Sequence, residues 1–287
     1  PLFAIANSGS SAIGASRGLY WTGNITANTT NGQINFYSKA PYVSGVMTAY
    51  GLFLGTTNQS YTLTGSNSVI SVLVGSIGTG SLSFQTASNL EIGSLSGVDG
   101  FTGTGLSINS TATLTQTKSI TVNTLTLAGT GGVFDLTRVN SISTSILLNG
   151  GSLKVSHSSA LGSVSAPITM AASTTLLSNL STLSLSNPIS MSGAATINAP
   201  TGNSLILSGI LSGASGALTI NNPTSTNTGT VILSGANTYG GTTTISAGTL
   251  QIGAGSTTGA IGSGAITNNG ALIFNRSNNF TVASLIS

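Results

Sequence analysis

Apolar residues along this chain come in short bursts. "SVISVLVG" (residues 68–75), "SLSFQT" (81–86), "NLEIGSL" (89–95), "LSINSTATLTQT" (106–117) and "SITVNTLTLAG" (119–129) alternate a hydrophobe with Ser, Thr or Asn, or run briefly apolar. So do "SILLNGGSLKVS" (145–156), "LSTLSLS" (180–186), "SLILSGILSG" (204–213), "ALTINN" (217–222), "TVILSG" (230–235), "TTTISAGTLQIG" (242–253) and "ALIFN" (271–275). A period of two is the pattern of a strand with one face buried, and the Gly and Asn that bound each burst mark turns. No window keeps a helical period with caps, so strands are expected throughout.

An internal repeat narrows the kind of β fold. "NGGSLKVSHSSALGSVSAPITM" (149–170) aligns with "SAGTLQIGAGSTTGAIGSGAITN" (246–268), placing Gly151 on Gly248, Leu153 on Leu250, Val155 on Ile252, Ala160 on Ala260 and Ile168 on Ile266. "SLILSGILSG" is echoed by "FTVASLIS" (280–287), with Ile210-Leu211-Ser212 returning as Leu285-Ile286-Ser287. Repeated short strands with tolerated insertions are the mark of a solenoid. The expectation is an all-β chain folded as a right-handed parallel β-helix, in which rungs stack at about 4.8 Å and identical side chains form ladders.

Aromatic residues divide the chain. Phe3, Tyr20, Trp21, Phe36, Tyr37, Tyr42, Tyr50, Phe53 and Tyr61 crowd the first fifth, and only six follow. This places a boundary near residues 62–66, with an aromatic-rich cap or assembly segment at 1–62 and the repeat domain at 63–287. Aromatics supply large contact area at low entropic cost, which suits capping or docking.

Composition then limits the chemistry. Charged residues are 3% of the chain, and residues 155–275 contain no Asp, Glu, Lys or Arg. A ladder punishes charge, because equal charges would stand directly above one another. With 39% hydrophobic residues the chain is not a disordered segment. The six basic residues, Arg17, Lys39, Lys118, Arg138, Lys154 and Arg276, are scattered and form no stripe for nucleic acid. There is no cysteine, hence no disulfide or thiolate metal site. The most apolar window, "PYVSGVMTAYGLFLG" (41–55), is too short and interrupted to span a bilayer. The first residues lack a positive segment followed by a continuous apolar one, so export is expected to use a signal outside this sequence.

Catalytic constellations are equally sparse. A polysaccharide-cleaving β-helix needs clustered carboxylates, and Glu91, Asp99 and Asp135 are far apart in sequence with no evident repeat relation. "GASRG" (14–18) matches a nucleophile pattern without its strand-to-helix context. His157, the one histidine, reads as a solvated strand-end residue. The expectations are therefore no enzyme activity, no metal and no cofactor. Thr113, Thr115 and Thr117, with Thr242, Thr243, Thr244 and Thr249 lining one face, raise an ice-binding array as a remote alternative. Sequons at Asn24, Asn28, Asn58, Asn109, Asn179, Asn275 and Asn279 read as chance, and asparagines as corner and ladder residues.

The segment from residue 231 onward carries Leu233, Ser234, Gly235, Asn237, Tyr239, Gly241, Thr242-Thr243, Gly248, Thr249, Leu250 and Ile252 in one order. This resembles the passenger-associated repeat of bacterial autotransporters, clearest over 231–287 and looser over 146–213. The resemblance implies a secreted or surface-displayed right-handed β-helix of a Gram-negative bacterium. Two departures stand: no translocator barrel pattern is present, and the last residues break off inside a repeat. Either the sequence is a fragment of a longer protein or another chain covers the open last rung.

The function expected from these features is structural and extracellular: a solenoid subunit of a surface filament, sheath or stalk, self-associating head-to-tail into fibres. Tyr20, Trp21, Phe36 and Tyr37 of one copy would cover Phe280, Leu285 and Ile286 of the next. The alternative is a monomeric adhesin passenger that binds host or cell-surface glycans through an exposed face.

Overall fold

Strands of two to nine residues lie side by side in parallel, each on its counterpart one turn of chain earlier. The computed structural model describes residues 11–13, 20–27, 29–37, 42–55, 58–221 and 228–287, and among them there is no helix. The chain forms a β-solenoid and divides into two compact units, Pro1–Ser143 and Thr144–Ser287.

In the first unit, Ile25–Thr26 and Gln33–Phe36 both pair with the long strand Met47–Leu54, which pairs in turn with Val69–Ser76. Leu90–Ile92 and Phe101–Thr102 lie on that strand, and Gly105–Ser110 sits between Ser81–Thr86 and Ile120–Ala128. Parallel pairing runs across Thr62, with Tyr42–Val43 on Tyr61–Leu63 and Met47–Leu54 on Val69–Ser76. The described part of the aromatic-rich segment is thus itself built of rungs.

In the second unit one sheet stacks Ser152–Val155, Thr174–Ser178, Ala195–Asn198, Leu218–Ile220, Thr243–Ile245 and Ile266–Asn268. Another stacks Thr182–Leu185, Ser204–Leu207, Thr230–Leu233, Thr249–Ser256 and Ala271–Arg276. Side chains alternate as the sequence pattern requires. Leu176, Ile197, Ile220 and Ile245 make one buried ladder, and Leu183, Leu205, Val231 and Leu250 another. Each such side chain contributes about 1.5–3 kcal/mol of transfer free energy before entropy is counted.

On the outer face, Thr175, Thr196, Thr219, Thr244 and Thr267 occupy one column over five consecutive rungs. A charge at one of these positions would face its copies at about 4.8 Å above and below. That spacing is the physical reason why Lys154 and Arg276 are the only charged residues from Thr144 onward.

The aligned repeats occupy matching places. Gly151 and Gly248 both take left-handed backbone, with φ of 69° and 64°, and Leu153, Val155, Leu250, Ile252, Ile168 and Ile266 are all fully buried. The shorter echo holds at the level of single bonds: Ile189 N–H donates to Ile210 C=O at 2.9 Å, and Ile266 N–H to Leu285 C=O at 2.8 Å.

Candidate functional site

One excursion departs from the rungs. Ser94–Leu95 and Val98–Asp99 pair antiparallel in a two-stranded sheet of their own, and Gly100 N–H closes the loop on Gly93 C=O at 2.8 Å. The two central residues, Ser96 and Gly97, have φ of 52° and 79°, the primed turn that matches strand twist in a two-residue hairpin. Leu95 and Val98 point onto the outer surface of the solenoid, where Leu95 buries with Phe53, Val72 and Val74 and Tyr50 flanks the cluster. Gly51 makes the seat: a Cβ there would lie 2.5 Å from Leu95 Cδ1. At the tip, Ser96 Oγ donates to Gln33 Oε1 at 2.9 Å, 63 residues back in the chain.

The same excursion gathers charge. Lys118 Nζ lies 2.7 Å from Asp99 Oδ2, and Ser94 Oγ donates to Asp99 Oδ1 at 2.5 Å. The Lys118 hydrogen bond, followed by that of Ser94, holds the Asp99 carboxyl below its ordinary range, so Asp99 is an acceptor and not a proton donor. Glu91 accepts from Thr117 Oγ1 at 2.5 Å.

The acids do have a repeat relation that their sequence spacing concealed. Glu91 pairs with Thr115, and the register Leu114 to Phe134, continued by one residue, sets Thr115 beside Asp135. The two carboxylates therefore share a column with a threonine between them. His157 closes a turn, its Nδ1 accepting from Ser159 N–H at 3.0 Å. Among the described residues no three His, Asp or Glu are placed to hold a metal ion. The "GASRG" segment lies outside the described residues.

The residues expected to form an assembly surface are dispersed. Tyr20 and Trp21 form a strand on Tyr42 and Val43, and their side chains lie outside the described set. Phe36 is a correction: it is fully buried in the rung interior, 6.3 Å from the Tyr61 ring, because strand parity turns it inward beside Ile34. Tyr37 is 51% exposed and rests on Phe53 at 5.4 Å. Phe280 is half-buried under Arg276, whose guanidinium sits 4.4 Å above its ring. Leu285 and Ile286 are exposed.

The threonine expectation also needs correction. Thr242, Thr243 and Thr244 do not share a face, since Thr243 is fully buried while its neighbours point outward. The array that exists runs across the rungs, one threonine wide. The column two residues earlier, traced by backbone bonds, holds Ser173, Ala194, Ala217, Thr242 and Ala265.

Asparagines and one tyrosine tie the rungs of the second unit together. Asn237 Oδ1 accepts from Leu211 N–H at 2.8 Å, and its Nδ2 donates to Ala260 C=O at 2.7 Å, so one side chain bridges the turns before and after it. Asn221 accepts from Ala199 N–H and donates to Gly229 and Ala247 C=O. Asn187 donates to Ser163 and Ala166 C=O. Tyr239 is fully buried, its hydroxyl 2.8 Å from Thr243 Oγ1, and its ring lies on Gly262, where a Cβ would meet Cε2 at 2.4 Å. Burial pushes the Tyr239 phenol above its ordinary range, against the opposing bonds to Thr243 and Gly262.

Residues 224–252 match the family model described as the passenger-associated-transport-repeat. Over 168 residues the chain is 33% identical to the adhesin BmaC autotransporter of Brucella suis biovar 1 (strain 1330). The aligned stretch is 58% of this chain and 5% of that protein, so the chain spans a small fraction of that relative's length. No solved structure matches it. The chain therefore carries an autotransporter passenger repeat, and Leu233 to Ile252 of the sequence pattern fall inside the matched segment.

Proposed function

We propose that this chain is a stretch of the passenger of a secreted, cell-surface adhesin of the autotransporter type, serving as a sparsely charged scaffold that presents contact surfaces. The observation that carries this reading is the use made of the repeat's characteristic residues. Asn237 and Tyr239 are engaged in bonds and packing between successive turns, which holds a stack together and leaves neither group free for chemistry. In this reading the chain has no enzymatic role, and its partners are surfaces, with contacts made by outward faces and by the hairpin of the first unit. Similarity to an adhesin supports it.

Display of the chain on a Gram-negative host, fused to an autotransporter barrel, tests the reading. Bacteria bearing it should adhere to host cells or to one another more than bacteria bearing the barrel alone. Equal adherence at equal surface density would remove the adhesin reading.

Head-to-tail assembly into a filament is the second reading, and it draws on the exposed apolar pair Leu285 and Ile286 and on the scarcity of repelling charge. The aromatic segment at 1–62 would be its cap, with Tyr20, Trp21 and Tyr37 in contact and Phe36 inside. Negative-stain microscopy over a concentration series separates the two: uniform filaments support assembly, and single short rods at every concentration remove it.

A further inference from the structure

We propose that the outer face of strand Gln33–Phe36, continued to Tyr37, binds a neutral carbohydrate chain. The inference rests on the adhesin reading and names its ligand class and its site. Residues two apart in a strand share a face, and Ile34 and Phe36 are fully buried in the interior, so Gln33, Asn35 and Tyr37 form the outward row. Two amides followed by a phenol, with no charge among them, are the groups that recognise a polyol: amides exchange hydrogen bonds with hydroxyls, and an aromatic face covers the C–H face of a sugar ring.

The row is built, not incidental. Gln33 pairs with Gly51 and Asn35 with Phe53 on the next rung, and Gly55 N–H donates to Phe36 C=O at 3.0 Å. A Cβ on Gly55 would stand 2.4 Å from Phe53 Cε1 and 3.0 Å from Tyr37 Cε1, so both rings lie over bare backbone. Phe53 is pinned beneath the hairpin by Leu95, Val72 and Val74 and in turn backs Tyr37, whose ring stays half-open to solvent. Gln33 is fixed by Ser96 at the hairpin tip.

Asn35 supplies the independent observation. It is only 7% exposed, yet its Oδ1 has no hydrogen-bond partner. A buried acceptor left unpaired is uncommon enough to need a reason, and a sugar hydroxyl is a donor that would pair it. Among the described residues the charges nearby are already engaged, Asp99 with Lys118 and Glu91 with Thr117, and Gln33, Asn35 and Tyr37 themselves carry none for an acidic glycan.

Among the described residues the other faces lack this combination. Phe274, 42% exposed, is faced by Phe280, which carries Arg276. The shallow hollow of about 330 Å³ over Ser81, Ser83, Gly105, Ser107 and Thr126 has hydroxyls, but the one ring lining it, Tyr61, is buried.

The test uses the full 287-residue chain in titration calorimetry and on an array carrying cellotetraose, chitotetraose, lactose-terminated and fucosylated oligosaccharides, with sialylated and sulfated ones as controls. Binding to at least one neutral oligosaccharide is expected, weakened at least about tenfold by Tyr37→Ala, the loss of one stacked ring. Asn35→Leu should abolish binding while leaving the melting temperature unchanged or raised, since it removes an unpaired buried carbonyl oxygen. A residue with a merely structural role would lose stability as well. No binding to any neutral sugar, binding confined to the acidic controls, or undiminished binding by both variants would overturn the site. Adherence of displayed cells that persists without such binding would overturn this site and leave the adhesin reading standing; loss of adherence itself would remove the adhesin reading.

Discussion

Replacing Asn237 by alanine tests whether single side chains hold consecutive turns together. Asn237 is 7% exposed and its amide serves both Leu211 N–H and Ala260 C=O. Leu211 is fully buried, so its N–H would lose its partner with no water to replace it, a cost of about 1–3 kcal/mol. Ala260 is half-buried and its carbonyl recovers part of its loss from solvent, so the sum is about 2–4 kcal/mol. Urea unfolding followed by circular dichroism gives the total, and amide exchange at Leu211 locates it, because in a solenoid each turn leans only on its neighbours. Asn237→Asp separates the bond from the volume it fills. The carboxylate is the same size but sets an acceptor against the Ala260 carbonyl, so at neutral pH it should cost at least as much as alanine. Asn179→Ala, at an exposed position, should change stability by about 0.5 kcal/mol or less. A loss below about 0.5 kcal/mol for Asn237→Ala, or a harmless Asn237→Asp, would refute the bridging argument.

Three further expectations concern other joints. The Tyr239 phenol is raised by burial, so its contribution is complete below the unfolded value of about 10 and is lost as pH rises through the folded value; alkaline unfolding of the chain should begin above about pH 10, and Tyr239→Phe should flatten that limb in a pH series of melts. Asp99 is depressed by Lys118 and Ser94, so its contribution is present above about pH 4 and is lost as pH falls further; the protection of the hairpin amides relative to their intrinsic exchange rate at each pH should fall in acid, and Lys118→Ala should lower it already at neutral pH. Gly51→Val should unseat Leu95, whose Cδ1 would stand 2.5 Å from the new Cβ; the hairpin should then become a site of limited proteolysis near Ser96 while the rungs keep their circular dichroism.

The parallel stack was legible because a solenoid writes its register into the sequence. Gly151 and Gly248 align in sequence and share a left-handed conformation, and Ile210 and Leu285 align and accept the same bond. Each turn repeats the environment of the last, so periodicity transfers directly into structure. Short strands with little contrast, such as Ile189–Met191 and Ala195–Asn198, escaped the pattern because Ala, Ser and Asn flank them and their pairing is set by the neighbouring turns. The roles of Asn237 and Gly262 escaped for another reason. Which carbonyl an amide reaches, or which ring a glycine admits, depends on residues of adjacent turns about two dozen positions away, such as Ala260 for Asn237.

The hairpin and the aromatic face were hidden by the same rule that made the stack visible. Ser96-Gly97 between Leu95 and Val98 is a hairpin signal, yet Ser-Gly recurs along the chain, as at 44–45, 208–209 and 234–235, and the hairpin itself is not part of the repeat. Anything that occurs once in a repeating chain is invisible to a search for repeats, and a contact function belongs among such singular features. Aromatic crowding before Thr62 does not by itself say which rings are available, because parity decides it: Phe36 faces the core and Tyr37 faces out. The charges follow the same division. The uncharged column Thr175 to Thr267 needs only uniformity, while Asp99 pairs with Lys118 where the chain leaves its ladder, and Glu91, which stays in the ladder, is separated from Asp135 by Thr115. The hairpin is the departure from the repeat, and through Ser96 and Leu95 it fixes Gln33 and pins Phe53, the ring on which the exposed Tyr37 rests.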